Sequence, residues 1–217
     1  MSKELIQRII SSFILLPIAL YFIIKGSFIF NLLILIFFLI TIYEWHMMSK
    51  KKVYNILGHI FLLFSFYSVY FVRNNLEQNS LSIFLFILFI CISTDIGGYL
   101  FGKFLKGPKL TKISPKKTYA GVLGSYFLSV ILFFILINYS DLFNDISINF
   151  SRNDLFFILI ISTISQVGDI IISYFKRLSD IKDTGKLIPG HGGILDRIDG
   201  MIFAFPSFYI FNLIIKL

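Results

Sequence analysis

Acidic side chains lie close to basic ones between residues 169 and 199 of this chain. Asp169 falls within an apolar run, where an isolated carboxylate costs several kcal/mol and normally faces a partner or a wet cavity. Asp196 and Asp199 are three residues apart, a spacing that puts both carboxylates on one face of a helix. Carboxylates bind hard cations such as Mg²⁺, while Lys and Arg side chains bind phosphate directly. This combination indicates phosphoryl or nucleotidyl transfer.

The segment that joins Asp169 to Asp196 carries the cations and several glycines. Gly192 and Gly193 follow His191, and glycines let backbone N–H groups approach an anion closely. His191 is either a donor to phosphate or a group that braces the loop. The basic residues of this segment and its C-terminal flank are Lys176, Arg177, Lys182, Lys186 and Arg197.

A second polar segment lies between residues 90 and 121. Asp95 is eight residues before Lys103, which places it about 12 Å below the end of a membrane helix at about 1.5 Å per residue. The run Ser114-Pro115-Lys116-Lys117-Thr118 is a short basic turn that precedes another apolar run. We expect the two polar segments to form one site.

Each of these features also has a purely structural interpretation. Asp95 and Asp169 are compatible with hydrogen bonds between helices, and the two later aspartates with helix N-capping. A run of lysines at a membrane face is usually a patch that contacts lipid. Close packing between helices is the alternative role for Gly97, Gly98 and Gly168.

The sequence as a whole is too apolar for a water-soluble protein. Of its 217 residues, 57% are hydrophobic and 15% are charged, and the mean hydropathy is +0.84. An average soluble domain is about 45–50% apolar and about 25% charged. The 27 Phe and 11 Tyr exclude intrinsic disorder, and the single Cys91 excludes an intrachain disulfide. The sequence therefore predicts an integral membrane protein.

The apolar runs predict an all-α transmembrane bundle of about seven spans, because about 20 apolar residues cross about 30 Å of hydrocarbon. None of the runs alternates in polarity as barrel strands do. We expect residues 1–217 to form a single integral membrane domain with catalytic elements in 90–121 and 165–200. The predicted spans cover residues 5–24, 27–45, 56–72, 81–102, 119–138, 154–175 and 200–215.

The distribution of basic residues predicts the orientation. With the N-terminus in the cytoplasm and the C-terminus outside, sixteen of the 20 Lys and Arg residues fall in cytoplasmic segments, as the positive-inside rule requires. Both polar segments then face the cytoplasm. The net charge of +8 is thereby assigned to loops that face anionic lipid, and no nucleic-acid partner is expected.

The polar segments also resemble a known family. The run Ser173-Tyr174-Phe175-Lys176-Arg177 is followed by Lys182-Asp183 and then by Leu187-Ile188-Pro189-Gly190-His191-Gly192-Gly193-Ile194-Leu195-Asp196-Arg197-Ile198-Asp199. This pattern is similar to the signature of the phosphatidate cytidylyltransferase (CDP-diacylglycerol synthase) family. Residues 95–102, residues 114–121 and the early Glu44-Trp45 are similar to the same family. The resemblance is strong over residues 90–200 and loose over the first third.

The resemblance implies an enzyme of the bacterial inner membrane whose site faces the cytoplasm. Such an enzyme requires Mg²⁺. It joins CTP and phosphatidic acid into CDP-diacylglycerol and releases pyrophosphate. Two departures from the family are visible: many of its members are longer at the N-terminus, and the family usually has Trp-Glu after Thr118, where this chain has Tyr119 and Ala120. Membrane lipid is an expected partner, and a homodimer is compatible with the sequence.

On this interpretation Asp169, Asp196 and Asp199 hold the metal and the cations steady the phosphates. Asp183 is more readily explained by pairing with a neighbouring lysine than by metal binding. The expected catalytic residues are Asp169, Lys176, Arg177, Lys182, Asp183, His191, Asp196, Arg197 and Asp199. The expected substrate-binding residues are Asp95, Ser114, Lys116, Lys117, Thr118, Lys186, Gly192 and Gly193.

Two other functions are alternatives. A CDP-alcohol phosphotransferase also uses spaced aspartates in membrane helices, but its pattern begins with Asp-Gly, whereas Asp199-Gly200 ends the cluster here. It would release CMP instead of pyrophosphate. An anion transporter would also carry intramembrane carboxylates, but paired repeats with broken helices are not visible in this sequence.

Overall fold

The computed structural model describes residue 13 and residues 17–76, 80–138, 152–187 and 192–216. The regular structure of these residues is helical, and an isolated antiparallel bridge joins Lys109 to Thr118. Residues 17–25 form a helical segment. The helices that follow are α1 (Ser27–Ser49), α2 (Asn55–Asn74), α3 (Ser80–Phe104), α4 (Tyr119–Asn138), α5 (Arg152–Leu178), the short α6 (Leu195–Ile198) and α7 (Met201–Lys216).

Six of the seven predicted spans coincide with helices α1 to α5 and α7. Within the described residues, the first five of these are long and apolar enough to cross a membrane, and α7 is a shorter apolar helix. Helix α7 continues through Pro206. The predicted span 5–24 lies largely outside the described residues. The fold is therefore that of a polytopic helical membrane protein.

The turn between α1 and α2 is anchored by an aromatic side chain. Trp45 is 3% exposed, and its indole N–H donates to the carbonyl of Asn55 over 3.0 Å. Its ring lies directly against Gly58, where a Cβ would collide with the indole. It also packs edge-on against Phe175, with ring centroids 5.2 Å apart. The C-terminal ends of α1 and α5 are thereby held together.

Helices α3 and α4 pack closely because both carry glycines at their contact. A Cβ at Gly97 would collide with the backbone carbonyl of Gly124, and one at Gly121 would lie 2.8 Å from the carbonyl oxygen of Gly98. Small residues let membrane helices approach in this way. The packing interpretation of Gly97 and Gly98 is confirmed.

Buried hydroxyl groups link three helices in the middle of the bundle. The Thr94 hydroxyl lies 3.0 Å from that of Ser129 and donates to Ser162 over 2.8 Å. The Ser125 hydroxyl donates to the Thr94 carbonyl over 2.7 Å. Helices α3, α4 and α5 thus share a hydrogen-bonded network one residue away from Asp95.

A compact apolar cluster lies beneath the predicted site. Its fully buried members include Leu62 of α2, Leu195 of α6 and Ile202 of α7. Trp45 and Ile172 complete the contact with α1 and α5. Burial of Leu195 fixes α6 against the bundle, although four residues are too few for a helix to be stable alone.

Candidate active site

The loop between α3 and α4 is a hydrogen-bonded turn that presents Lys117. The backbone N–H of Leu110 donates to the Lys117 carbonyl over 2.8 Å. The Thr118 hydroxyl accepts the N–H of Gly121 over 3.1 Å, which is the N-capping arrangement for α4. Ser114 closes the turn, because its carbonyl accepts the N–H of Lys117 over 3.0 Å. In the part of the chain that the structure describes, the contacts of Ser114 and Thr118 therefore stabilise this turn.

Lys117 reaches across to α5. Its Nζ lies 2.6 Å from Asp169 Oδ2, with the two side chains 22% and 29% exposed. The same ammonium donates to the Gln166 carbonyl over 3.2 Å. The other oxygen of Asp169 accepts the Ser173 hydroxyl over 3.3 Å. The structure therefore joins the two polar segments of the sequence through one ion pair.

Asp196 is the centre of a second set of contacts. Lys176 donates to its Oδ1 over 2.8 Å, and the two side chains are only 10% and 5% exposed. Its Oδ2 accepts the backbone N–H groups of Thr184 (2.8 Å) and Gly193 (3.0 Å) and lies 3.1 Å from the Thr184 hydroxyl. A buried carboxylate with this many donors is well satisfied without a metal.

The glycines of the loop make room for side-chain carboxylates. Gly192 has a φ of +88°, and a Cβ there would lie 2.8 Å from Asp196 Oδ2. A Cβ at Gly193 would lie 2.5 Å from Glu44 Oε2. The sequence suggested that these backbone groups bind an external anion. In the structure the anions beside them are carboxylates of the protein.

Asp199 lies at the junction of α6 and α7, where it is 8% exposed. Gly200 and Gly168 allow this junction to approach α5, because a Cβ at Gly168 would lie 3.0 Å from the Asp199 carbonyl oxygen. Burial raises the pKa of Asp199 well above its usual range, and the negative charges of Asp169 and Asp95 raise it further. The positive charges of Lys176 and Lys117 act in the opposite direction.

Carboxylates from two helices and one junction act on one another electrostatically. Asp95 comes from α3, Asp169 from α5 and Asp199 from the junction of α6 and α7. Asp95 is exposed, unlike Asp199. Repulsion between the carboxylates favours a cation among them, and Lys117 supplies one.

The remaining predicted residues lie at the rim or outside the described part of the chain. Arg177 is exposed and donates to the carbonyl of Ile181 over 3.1 Å, so it stabilises the turn that follows α5. Asp183 forms no ion pair with a described residue. His191 lies outside the described residues. Lys116, Lys182, Asp183, Lys186 and Arg197 are exposed.

One buried carboxylate had no role in the sequence analysis. Glu44, near the end of α1, is 4% exposed. It accepts the backbone N–H groups of Ile194 (3.0 Å) and Leu195 (2.8 Å) and the hydroxyl of Thr184 (3.0 Å). The available signals were a lone acid at the end of an apolar run and the family resemblance of Glu44-Trp45. Its partners are about 150 residues away in the sequence.

The oxygen donors of the site suit a magnesium ion that takes some of its ligands from a substrate. Within the described residues, no three His, Cys, Asp or Glu side chains are grouped to hold a metal. Mg²⁺, however, is usually bound by one or two carboxylates together with waters and substrate phosphates. Asp169 has one oxygen that accepts only a hydroxyl at 3.3 Å among the described contacts. Hard oxygen donors of this kind suit Mg²⁺.

The fold and the site define a helical membrane protein with carboxylates and ammonium groups gathered at one end of its bundle. The model of the cytidylyltransferase family matches residues 59–215, and the chain belongs to that family. A phosphatidate cytidylyltransferase of Rickettsia bellii is 41% identical over 142 residues, which are 63% of this chain and 61% of the relative. One of Staphylococcus aureus strain COL is 38% identical over 131 residues, 60% of this chain and 48% of that protein.

The chain therefore spans about half to three-fifths of the length of these curated relatives. The matched family segment contains Asp95, Lys117, Asp169, Asp196 and Asp199. Glu44 lies before that segment.

Proposed function

We propose that the protein transfers the cytidylyl group of CTP to phosphatidic acid, giving CDP-diacylglycerol and pyrophosphate. The observation that carries this proposal is geometric: Lys117 lies 2.6 Å from Asp169, and Lys176 lies 2.8 Å from Asp196, three residues before the buried Asp199. Family membership and the names of the similar proteins support the same chemistry. We further propose that the site faces the cytoplasm, because most basic residues lie on its side of the bundle.

The reaction must bring two anions together. A phosphate oxygen of phosphatidic acid forms a bond to the α-phosphorus of CTP, and the bond from that phosphorus to the β-phosphate oxygen breaks. Pyrophosphate leaves with the electron pair. The lipid phosphate is ionised near neutral pH, so charge neutralisation and positioning carry the catalysis, as in other phosphoryl transfers.

The cations of the site are placed to hold the phosphates. Lys117 lies on a hydrogen-bonded turn, its ammonium contacts the Asp169 carboxylate, and its side chain is 22% exposed. A lysine in that position can bind a phosphate oxygen without leaving the site. Lys176 is held by Asp196, and its positive charge acts on Asp199. Arg177, Lys182, Lys186 and Arg197 form the exposed basic rim.

Asp169 and Asp199 are the residues that would hold Mg²⁺, and the charge of Asp95 acts on both. The bound ion would neutralise charge on the phosphates of CTP. Asp196 remains a proposed third ligand, and it would have to exchange some of its contacts with Lys176, Thr184 and Gly193 to bind metal.

A groove beside α1 supports the proposal that one substrate is a lipid. Its volume is about 320 Å³, and residues of α1 and of the loop after α5 line it, with Glu44, Thr184 and Lys186 among the polar ones. Its apolar lining suits an acyl chain, and its lysine suits an anionic headgroup. The lining includes Leu39, Tyr43, Met47, Lys186 and Leu187.

The test is a product assay with purified protein in mixed micelles. Radiolabelled CTP, phosphatidic acid and Mg²⁺ should yield labelled CDP-diacylglycerol and one pyrophosphate for each lipid formed. Release of CMP from CDP-diacylglycerol would instead identify a CDP-alcohol phosphotransferase. Anion flux in liposomes without CTP turnover would identify a transporter. Either result would refute the proposal.

A further inference from the structure

Glu44 acts as a capping group for a helix to which it does not belong. The first N–H groups of a helix have no partner within the helix. In α6 the N–H of Leu195 donates to Glu44 Oε2 over 2.8 Å, and the preceding N–H of Ile194 donates to Oε1 over 3.0 Å. The carboxylate therefore ties α1 to the start of α6.

The loop is shaped around this carboxylate. A Cβ at Gly185 would lie 2.7 Å from Glu44 Oε1, and a Cβ at Gly193 would lie 2.5 Å from Oε2. Any larger residue at either position would push against the buried oxygens. Two glycines thus leave the space that one carboxylate from a distant helix occupies.

A shared hydroxyl connects Glu44 to the charged site. Thr184 Oγ1 lies 3.0 Å from Glu44 Oε2 and 3.1 Å from Asp196 Oδ2. Asp196 in turn holds Lys176 at 2.8 Å. The chain then runs directly from Asp196 to Asp199, so a shift of α6 would move all of these groups together.

We propose that Glu44 is a positioning residue for the reaction, which holds α6 so that Asp196, Lys176 and Asp199 keep their places. This inference rests on the proposed function. Glu44 is 4% exposed and borders the groove beside α1, and both of its carboxylate oxygens are taken up by the loop that it binds. Its effect should fall on the chemical step, because a displacement of about 1 Å at a reacting centre can cost about 100-fold in rate.

The test compares Glu44→Gln with Thr41→Val in the full chain in detergent. The amide of Gln keeps the shape of Glu but presents an NH₂ group to donors, so at least one of them loses its acceptor. Thr41 is a matched control because it is fully buried on the same helix and its hydroxyl bonds only carbonyls of that helix, Phe37 and Phe38. Hydrogen exchange of residues 194 and 195 is measured alongside kcat and the KM for CTP.

We expect Glu44→Gln to speed exchange at these two amides by at least about tenfold and to lower kcat by at least about tenfold, with the KM for CTP within about threefold of wild type. Thr41→Val should leave all three quantities within about twofold. Unchanged kcat in Glu44→Gln overturns the inference, whether or not exchange changes. A fall of the same size in Thr41→Val also overturns it.

Two further arms keep the outcomes separate. If Glu44→Gln does not accumulate, Thr184→Val removes only the shared hydroxyl, and kcat should fall by at least about threefold; an unchanged kcat overturns the inference. If the wild-type protein forms no CDP-diacylglycerol, the proposed function fails and the positioning role falls with it. Exchange at residues 194 and 195 would still show whether Glu44 holds α6, so the two failures are distinguishable.

Discussion

Replacing Lys117 by Met separates a role in the reaction from a role in the fold. Its ammonium lies 2.6 Å from Asp169, with the two side chains 22% and 29% exposed. An ion pair with this much solvent contact contributes roughly 0.2–1 kcal/mol to stability. A charge-assisted hydrogen bond to a substrate phosphate is worth about 1.5–3 kcal/mol, or about 10-fold to 150-fold in rate. The catalytic effect should therefore be much the larger.

We expect Lys117→Met to lower kcat/KM for CTP by about 10-fold to 150-fold and to leave the thermal midpoint in detergent almost unchanged. Lys116→Met is the matched control, because the neighbouring side chain is exposed. It should change kcat/KM by less than about threefold. CDP-diacylglycerol formation and thermal unfolding are measured on the same preparations. Equal losses in the two variants, or full activity with a lowered midpoint in Lys117→Met, would refute the reasoning.

Three further perturbations test the site and its supports. Lys176→Met leaves the buried carboxylate of Asp196 without its cation and should lower the free energy of unfolding by about 3–5 kcal/mol. Lys182→Met, at an exposed position, is the control and should change this free energy by less than about 0.5 kcal/mol. Denaturant titrations measure both variants. The raised pKa of Asp199 means that bound protons stabilise the folded protein and that this stability is lost as pH rises through the raised value. Asp199→Asn should therefore raise the thermal midpoint of the metal-free protein at neutral pH and reduce the fall of that midpoint as pH rises. The same variant should form no CDP-diacylglycerol. Gly97→Ala should destabilise the folded protein by about 1–3 kcal/mol, because the new Cβ collides with a backbone carbonyl. Gly102→Ala should cost less, because its Cβ would lie 3.2 Å from a threonine hydroxyl. Equal thermal midpoints in the two variants would contradict the packing role of Gly97.

The helices could be predicted from the sequence because membrane spans depend on local composition. Each of the six predicted spans that coincide with helices is a long apolar run with charged or turn-forming residues at its ends. In hydrocarbon every backbone polar group must be satisfied within the segment, so such a run has little choice but to be helical. The bounds differ from prediction by a few residues where polar ends extend the helix, as at the C-terminus of α5.

The site was predicted by residue type, but its pairings were not. Lys117 and Asp169 were both expected in the site, yet their direct contact depends on how α4 and α5 pack. Asp196 was expected to bind metal, and the structure shows it first as a partner of Lys176 and of backbone N–H groups. Such preferences are decided by tertiary geometry, which residue spacing does not contain.

Glu44 shows why a lone charge in an apolar run is hard to interpret. Its neighbours in the sequence offer no partner, and the groups that bind it lie beyond residue 183. Burial of a carboxylate requires several donors, and the structure supplies them from a distant loop. The sequence could not say which loop would supply them.

The buried hydroxyl network of Thr94, Ser129 and Ser162 has a consequence for the depth of the site. In lipid, apolar helices gain little by choosing one axial offset over another, because acyl chains are as apolar as their side chains. A few hydroxyl contacts between α3, α4 and α5 penalise sliding. They therefore fix the axial position of Asp95 on α3 relative to Asp169 on α5. A bundle with these hydroxyls replaced by methyl groups would still assemble, yet its acidic groups would no longer meet at one level.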